Sequence, residues 1–199
     1  MKPSMNRMLL VLLALLVVYE RPGFATDYLV DASHTRPVFR LSHQGFAAQF
    51  GRFNRVSGWV RLDVAARNGS VDLTIFTGSL EMTMGGAAEH LMGDGMLDVE
   101  RFPEMRFTSD KLLFQGDKVI GAYGQFTLLG VTRPLVVSVN DFQCKDVTGV
   151  TRALCSGDIT ASLSRSDYGL TRFKELVDDK IDVRVRISVY RARSRPGGP

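Results

Sequence analysis

Apolar and polar residues alternate along most of this chain. In Val38-Phe39-Arg40-Leu41-Ser42-His43 the alternation sets Phe39, Leu41 and His43 on one face. In Trp59-Val60-Arg61-Leu62-Asp63-Val64 the apolar set is Val60, Leu62 and Val64. Residues 71–75, 135–139 and 159–163 repeat the pattern, and Val183-Arg184-Val185-Arg186-Ile187-Ser188-Val189 carries it furthest. A period of two marks strands with one face buried and one face wet, the habit of antiparallel sheet. Turn signals at Asn68-Gly69, Gln115-Gly116-Asp117 and Leu129-Gly130-Val131-Thr132 divide the runs. About eight strands are predicted, at the spacing of a sandwich or barrel. Gly78 to Pro103 interrupts the rhythm, and Gly86 to Met92 within it predicts a short helix. A connection this long in a compact domain often serves as a lid. No internal repeat and no βαβ rhythm is present.

The first 25 residues are read apart from the fold. Lys2 and Arg7 precede an unbroken apolar run, Met8 to Tyr19. That run falls short of the roughly 20 residues a membrane-spanning helix needs. Pro22 and Gly23 end it, and Gly23-Phe24-Ala25 supplies the small residues a signal peptidase requires. Residues 1–25 are therefore expected to be a signal peptide cut after Ala25, with 26–190 the mature domain and 191–199 a basic, disordered tail. The expected destination is the periplasm, with secretion as the alternative.

Composition narrows the function classes. Of 199 residues, 45% are hydrophobic and 23% charged, as in an ordinary globular domain. Loss of the leader takes the basic count from 25 to 22 and the acidic count from 21 to 20, a net +2. That excess gives no reason to expect a nucleic-acid partner. Cys144 and Cys155 are the only cysteines. An even count in an exported chain predicts a disulfide across a hairpin connection, two free buried thiols being the alternative.

One ordered series of motifs carries a resemblance. It begins with Tyr28-Leu-Val-Asp-Ala-Ser-His34, Phe39-Arg-Leu-Ser-His43-Gln-Gly45, Gly51-Arg-Phe53, Ser57-Gly58 and Glu89-His90-Leu91. It continues with Leu97-Asp98-Val99, Phe102-Pro103-Glu-Met-Arg-Phe107-Thr-Ser109, Thr127-Leu-Leu-Gly130-Val-Thr132-Arg-Pro134 and Arg165-Ser166-Asp167-Tyr168-Gly169-Leu170. The series resembles the YceI-like, polyisoprenoid-binding family from about Tyr28 to Val189. The resemblance implies an all-β fold: a single extended, lipocalin-like antiparallel barrel with a short helix in its long loop. It also implies a bound isoprenoid or acyl lipid inside, and the cysteine pair resembles that of many members. Two departures stand out. Gly95-Met96-Leu97-Asp98 lacks the two aromatics usual before the aspartate, and the last loop, Arg172 to Lys180, is unusually charged.

An eight-stranded barrel is wide enough for one slender ligand. The expected ligand-binding set is Phe39, Leu41, His43, Val60, Leu62, Leu73, Ile75, His90, Phe107, Phe126, Leu128 and Val185, each of which could equally be core packing. Head-group candidates are Arg36, His43, His90 and Asp167, the last also suited to pinning a turn through its side chain. Gly121 and Gly124 suggest room inside. There is no Gly-x-Ser-x-Gly elbow, phosphate loop or dinucleotide fingerprint. His34, His43 and His90, the only histidines, lack metal-ligand spacing. Neither a catalytic residue nor a metal nor a cofactor beyond the lipid is expected. The alternatives are a fatty acid or fatty amide as the ligand, or an enzyme acting on such a lipid; outside the enzyme class the chief rival is a partner-binding module whose barrel is filled by side chains. Transient membrane contact, and a monomer or a homodimer, remain open.

Overall fold

The computed structural model describes residues 25–146 and 153–192. The proposed signal peptide up to Phe24, the connection at 147–152 and the tail from 193 lie outside the described residues. Eleven strands form one antiparallel sheet. They are β1 (Thr26–Val30), β2 (Arg36–His43), β3 (Ala47–Phe53), β4 (Val56–Asp63), β5 (Asn68–Phe76), β6 (Leu80–Met82), β7 (Glu104–Gln115), β8 (Lys118–Leu128), β9 (Val131–Asp146), β10 (Ala153–Ser164) and β11 (Lys180–Arg191). Eight of them close a ring in the order β1-β4-β5-β7-β8-β9-β10-β11, because β11 also pairs with β1. From β11 the sheet extends through β2 and β3 to β6. The predicted eight staves are thus present, three of them broken in two: β1 with β2, β3 with β4, and β5 with β6.

The first break shows how such an interruption is satisfied. β11 pairs with β1 up to Val189 and with β2 from Arg186, leaving Ile187 and Ser188 opposite the gap, where the Asp31 N–H also donates to the Ser188 carbonyl (2.8 Å). Thr35, fully buried, fills it: its hydroxyl donates to the Ser188 carbonyl (3.2 Å) and accepts from the Ser188 N–H (3.0 Å). A buried backbone group left without a partner would cost about 1–3 kcal/mol.

The staves give the barrel two unlike ends. One carries the connections at 64–67 and 116–117, together with Ala25 and Ala192, whose N–H donates to the Asp27 carbonyl (2.8 Å). Cys144 and Cys155 face each other across β9 and β10 near this end and form the predicted disulfide, Cα atoms 3.9 Å apart. At the other end lie the β2–β3 hairpin, residues 83–103, the Leu129–Gly130 turn and residues 165–179. Helix α1 (Ala87–Met92) is the short helix predicted inside the long connection.

Two details differ from the sequence reading. The turn assigned to Asn68-Gly69 lies at 64–67, with Arg67 taking the left-handed conformation (φ 48°). Asn68 and Gly69 already pair with Asp63 and Leu62. Gly69 is needed because a Cβ there would collide with the Arg61 carbonyl oxygen. Val64 consequently falls past the end of β4 and is exposed rather than inward.

Candidate functional site

Inward-facing side chains of the staves enclose two adjoining cavities. The upper, about 370 Å³, opens at the end that carries the long connections. The lower, about 120 Å³, is lined only by apolar residues. They meet at a collar of Ile75, Phe126, Leu163 and Val183, which line both. The upper volume lies in the usual range of ligand pockets, about 300–1,000 Å³. The lower one is close to filled by its own Phe107, Leu112, Phe126 and Phe142.

The sequence-predicted tail residues all fall on this passage. Phe39, Leu41, His43, His90 and Leu128 line the upper cavity, Ile75 and Phe126 the collar, and Val60, Leu62, Leu73, Phe107 and Val185 the lower cavity. Strand periodicity puts all but His90 there, each on the inward face of its stave; His90 reaches the cavity from helix α1. The inference from glycine does not hold. A Cβ on Gly124 would strike the Phe107 ring (2.6 Å), so the space that glycine leaves is occupied by a neighbour's side chain.

The head-group candidates divide. His43 and His90 stand at the upper cavity. Arg36 does not line it; its guanidinium donates to the carbonyls of Ala32 (2.6 Å) and Thr35 (3.1 Å) at the β1–β2 break. Asp167 is exposed outside it, and its carbonyl accepts from Arg133 Nε (3.2 Å). The carboxylate that pins the Arg165–Tyr168 turn is Asp179, which accepts from the Ser166 N–H (3.0 Å) and hydroxyl (2.9 Å). Burial alone would raise the Asp179 carboxyl, but the Ser166 hydrogen bonds, with help from Ser164 and the Arg165 charge, hold it below the usual carboxylate range. The three histidines do not meet: His34 lies near the opposite end against Asp31 (2.7 Å).

Sequence reasoning missed the residue that builds the mouth. Arg165 is buried, 4% exposed, and lines the upper cavity. Its guanidinium donates to the carbonyls of Leu170 (2.8 Å), Arg172 (2.7 Å), Val177 (3.0 Å) and Asp178 (3.1 Å). One side chain thereby folds residues 170–178 into an arch. The arch docks on the β2–β3 side through Asp178 N–H to Ser42 O (2.8 Å) and Gln44 Nε2 to Glu175 O (2.8 Å). Across the mouth, Arg172 donates to the Asp94 carbonyl (3.2 Å), and the rings of His90 and Phe173 lie 5.7 Å apart. Phe173 adopts φ 57°, uncommon for a bulky residue and a mark of local strain. Met84, Leu91, Met96, Leu97, Leu170 and Leu176 complete the apolar mouth.

The mouth is cationic in its polar part. Arg165, Arg172, His43, His90 and Gln49 are its polar lining residues, and among the described residues no aspartate or glutamate lines either cavity. The passage can therefore take an apolar chain end-on and present donors to whatever polar group follows it.

Comparison with known proteins agrees with this architecture. The family model described as the YceI-like domain matches residues 28–189. A UPF0312 protein of Pseudomonas savastanoi pv. phaseolicola is 31% identical over 152 residues, covering 74% of this chain and 78% of that protein. One from Shewanella denitrificans is 29% identical over 150 residues, covering 73% and 78%. The crystal structure of Burkholderia cenocepacia BcnA superposes with a TM-score of 0.67 at 19% identity, over 80% of this chain and 98% of BcnA. A polyisoprenoid binding domain from Saccharophagus degradans, implicated in plant cell wall breakdown, superposes at 0.62 with 15% identity, over 84% and 99%.

Proposed function

We propose that this protein, which belongs to the YceI-like domain family, is a periplasmic carrier that holds one long apolar lipid inside its barrel without covalent chemistry. The observation that carries the reading is the passage itself: an apolar chamber opening through a collar into a second, wholly apolar one, with no acidic side chain among the described residues of either lining. Burying apolar surface gains about 0.8 kcal/mol per methylene, so ten buried carbons yield about 8 kcal/mol before the costs of ordering. The related fold of a domain described as polyisoprenoid binding supports an isoprenoid tail. The basic-then-apolar start of the chain and the Cys144–Cys155 disulfide support an exported, oxidising setting.

The mouth favours a head that accepts hydrogen bonds. Arg172, His43 and His90 offer donors there, so an isoprenyl phosphate or a fatty acid suits the mouth better than a hydrocarbon with no polar end. Native mass spectrometry of the purified mature protein, followed by lipid extraction, tests the reading. One retained long-chain lipid per barrel is expected. A protein that takes up nothing from isoprenoid, quinone or fatty-acyl mixtures sinks it.

A further inference from the structure

Four exposed, large apolar side chains stand together on the rim of the mouth: Phe46 (96% exposed), Leu176 (57%), Met84 (49%) and Phe173 (45%). We infer that this rim is a bilayer-docking surface, which enters the boundary between headgroups and acyl chains so that the cavity opens directly into the apolar phase. The inference rests on the carrier reading of the same cavity.

Three observations carry it. Met84, Phe173 and Leu176 also line the upper cavity, so the exposed patch and the mouth are one continuous surface. A long apolar chain passing between a membrane and a mouth held away from it would expose each methylene to water in transit; a rim seated in the membrane removes that step. Second, Phe46 serves the fold only through its backbone, whose N–H donates to the His43 carbonyl (2.9 Å), while its side chain is almost fully exposed. It sits at the tip of the β2–β3 hairpin, projected there by Gln44 and Gly45, both left-handed (φ 50° and 70°). Third, the rim carries both signs of charge, Arg172 and Lys174 against Glu89, Asp94 and Glu175. An anionic surface gains no net attraction from such a set, so insertion must come from apolar contact and proceed on zwitterionic lipid. Of the described connections at the opposite end, 116–117 carries no large apolar side chain and 64–67 exposes one, Val64 (39%). A second copy seated on the rim would seal both mouths, and we therefore assign the surface to a bilayer.

Flotation with dioleoylphosphatidylcholine vesicles tests the assignment. The wild-type protein should float with the vesicles equally at low and high salt. Phe46→Asp should reduce the bound fraction about tenfold, the effect of taking one buried aromatic from the interface. Phe46 does not line the cavity, so its lipid content by native mass spectrometry should stay at the wild-type level, which separates failure of docking from failure of the carrier reading. Val136→Asp, on the outer wall at 54% exposure, should float as the wild type does. In Phe46→Trp the new emission should be quenched by lipids brominated on their chains, whereas Trp59, on the barrel wall, should not be quenched in the wild type. Wild-type protein that stays in solution, or Phe46→Asp that floats undiminished, overturns the inference. So does a dimer in sedimentation velocity that Phe46→Asp dissolves while vesicles are never bound. Flotation by protein that never holds lipid would instead leave docking standing and remove the carrier reading.

Discussion

At the lower end of the barrel the walls close over Leu112, Val119 and Phe142, the connection between β7 and β8 is short, and a disulfide ties β9 to β10. At the upper end the walls stop apart, and two long segments span the gap, held by one buried arginine and a few backbone hydrogen bonds. Strand pairing supplies the strength of the first. In the second, strength is concentrated in Arg165, and the remainder is free to open. Regions with few buried apolar contacts and locally anchored backbone belong to the low-stability part of a fold. A carrier needs both, a rigid wall to hold cargo and a weak end to admit it.

The largest effect expected from breaking this contrast is at Arg165. Arg165→Leu leaves the carbonyls of Leu170, Arg172, Val177 and Asp178 without their donor. The cost should be about 3–5 kcal/mol, as for removing one member of a buried charged network. Hydrogen exchange should rise at 170–179 and hardly change in β8. Uniform acceleration around the barrel would show that the two ends are not energetically separate.

The matching change at the closed end is the double substitution of Cys144 and Cys155 by serine. Loss of so short a loop constraint should lower stability by about 3 kcal/mol in chain-entropy terms, read from denaturant midpoints, with lipid retention unchanged. Lost cargo in a folded variant would mean that the closed end also governs access.

Leu73→Trp fills the lower cavity from its wall and should cost about 1–3 kcal/mol by overpacking. If the tail passes the collar, the folded variant should retain less lipid, or a shorter one. Wild-type retention would place the cargo wholly above the collar.

The smallest effect is titration. Asp179 is held below the usual carboxylate range, so the stability it contributes is present above that range and lost as pH falls through its depressed value. Asp158 on the outer wall behaves alike, held down first by its hydrogen bond from Arg186. Both are largely solvated, and each should contribute under about 1 kcal/mol. Acid below the usual carboxylate range should nonetheless loosen 165–179 before the wall, since protonation of Asp179 releases Ser166. Asp179→Asn should remove that difference in a pH series of exchange rates.

Much of the wall was legible because period two holds along most staves: a residue on the inward face between irregularities has nowhere else to go. Phe39, Leu73 and Val185 could therefore be placed from the pattern alone. Arg165 could not, because nothing local tells a buried arginine capped by carbonyls from a solvated one. The two departures from the family pattern prove to be neighbours. Gly95 (φ 72°) lacks a Cβ where the Arg172 guanidinium passes, so the segment before Asp98 and the charged last loop meet at one contact. Such a pairing between residues some 80 positions apart leaves no trace in sequence periodicity. The empty look of Gly124 misled for a related reason: absence of a side chain shows where room was made and not what fills it.

Ala192 pairs with Asp27, two residues after Ala25, so both lie at the end remote from the mouth. The staves between are about 30 Å tall, taking twelve residues of β10 at the usual rise and tilt. The molecule thus has a handle and a working tip at opposite poles. A chain still tethered at residue 25 would hold its tip a full barrel's height above its anchor, turned away from the membrane that held it. Cleavage there would be an act of orientation as well as release. Coupled to a solid support through either terminus, the protein should draw lipid from vesicles as fast as the free chain, and coupled through residue 46 it should not.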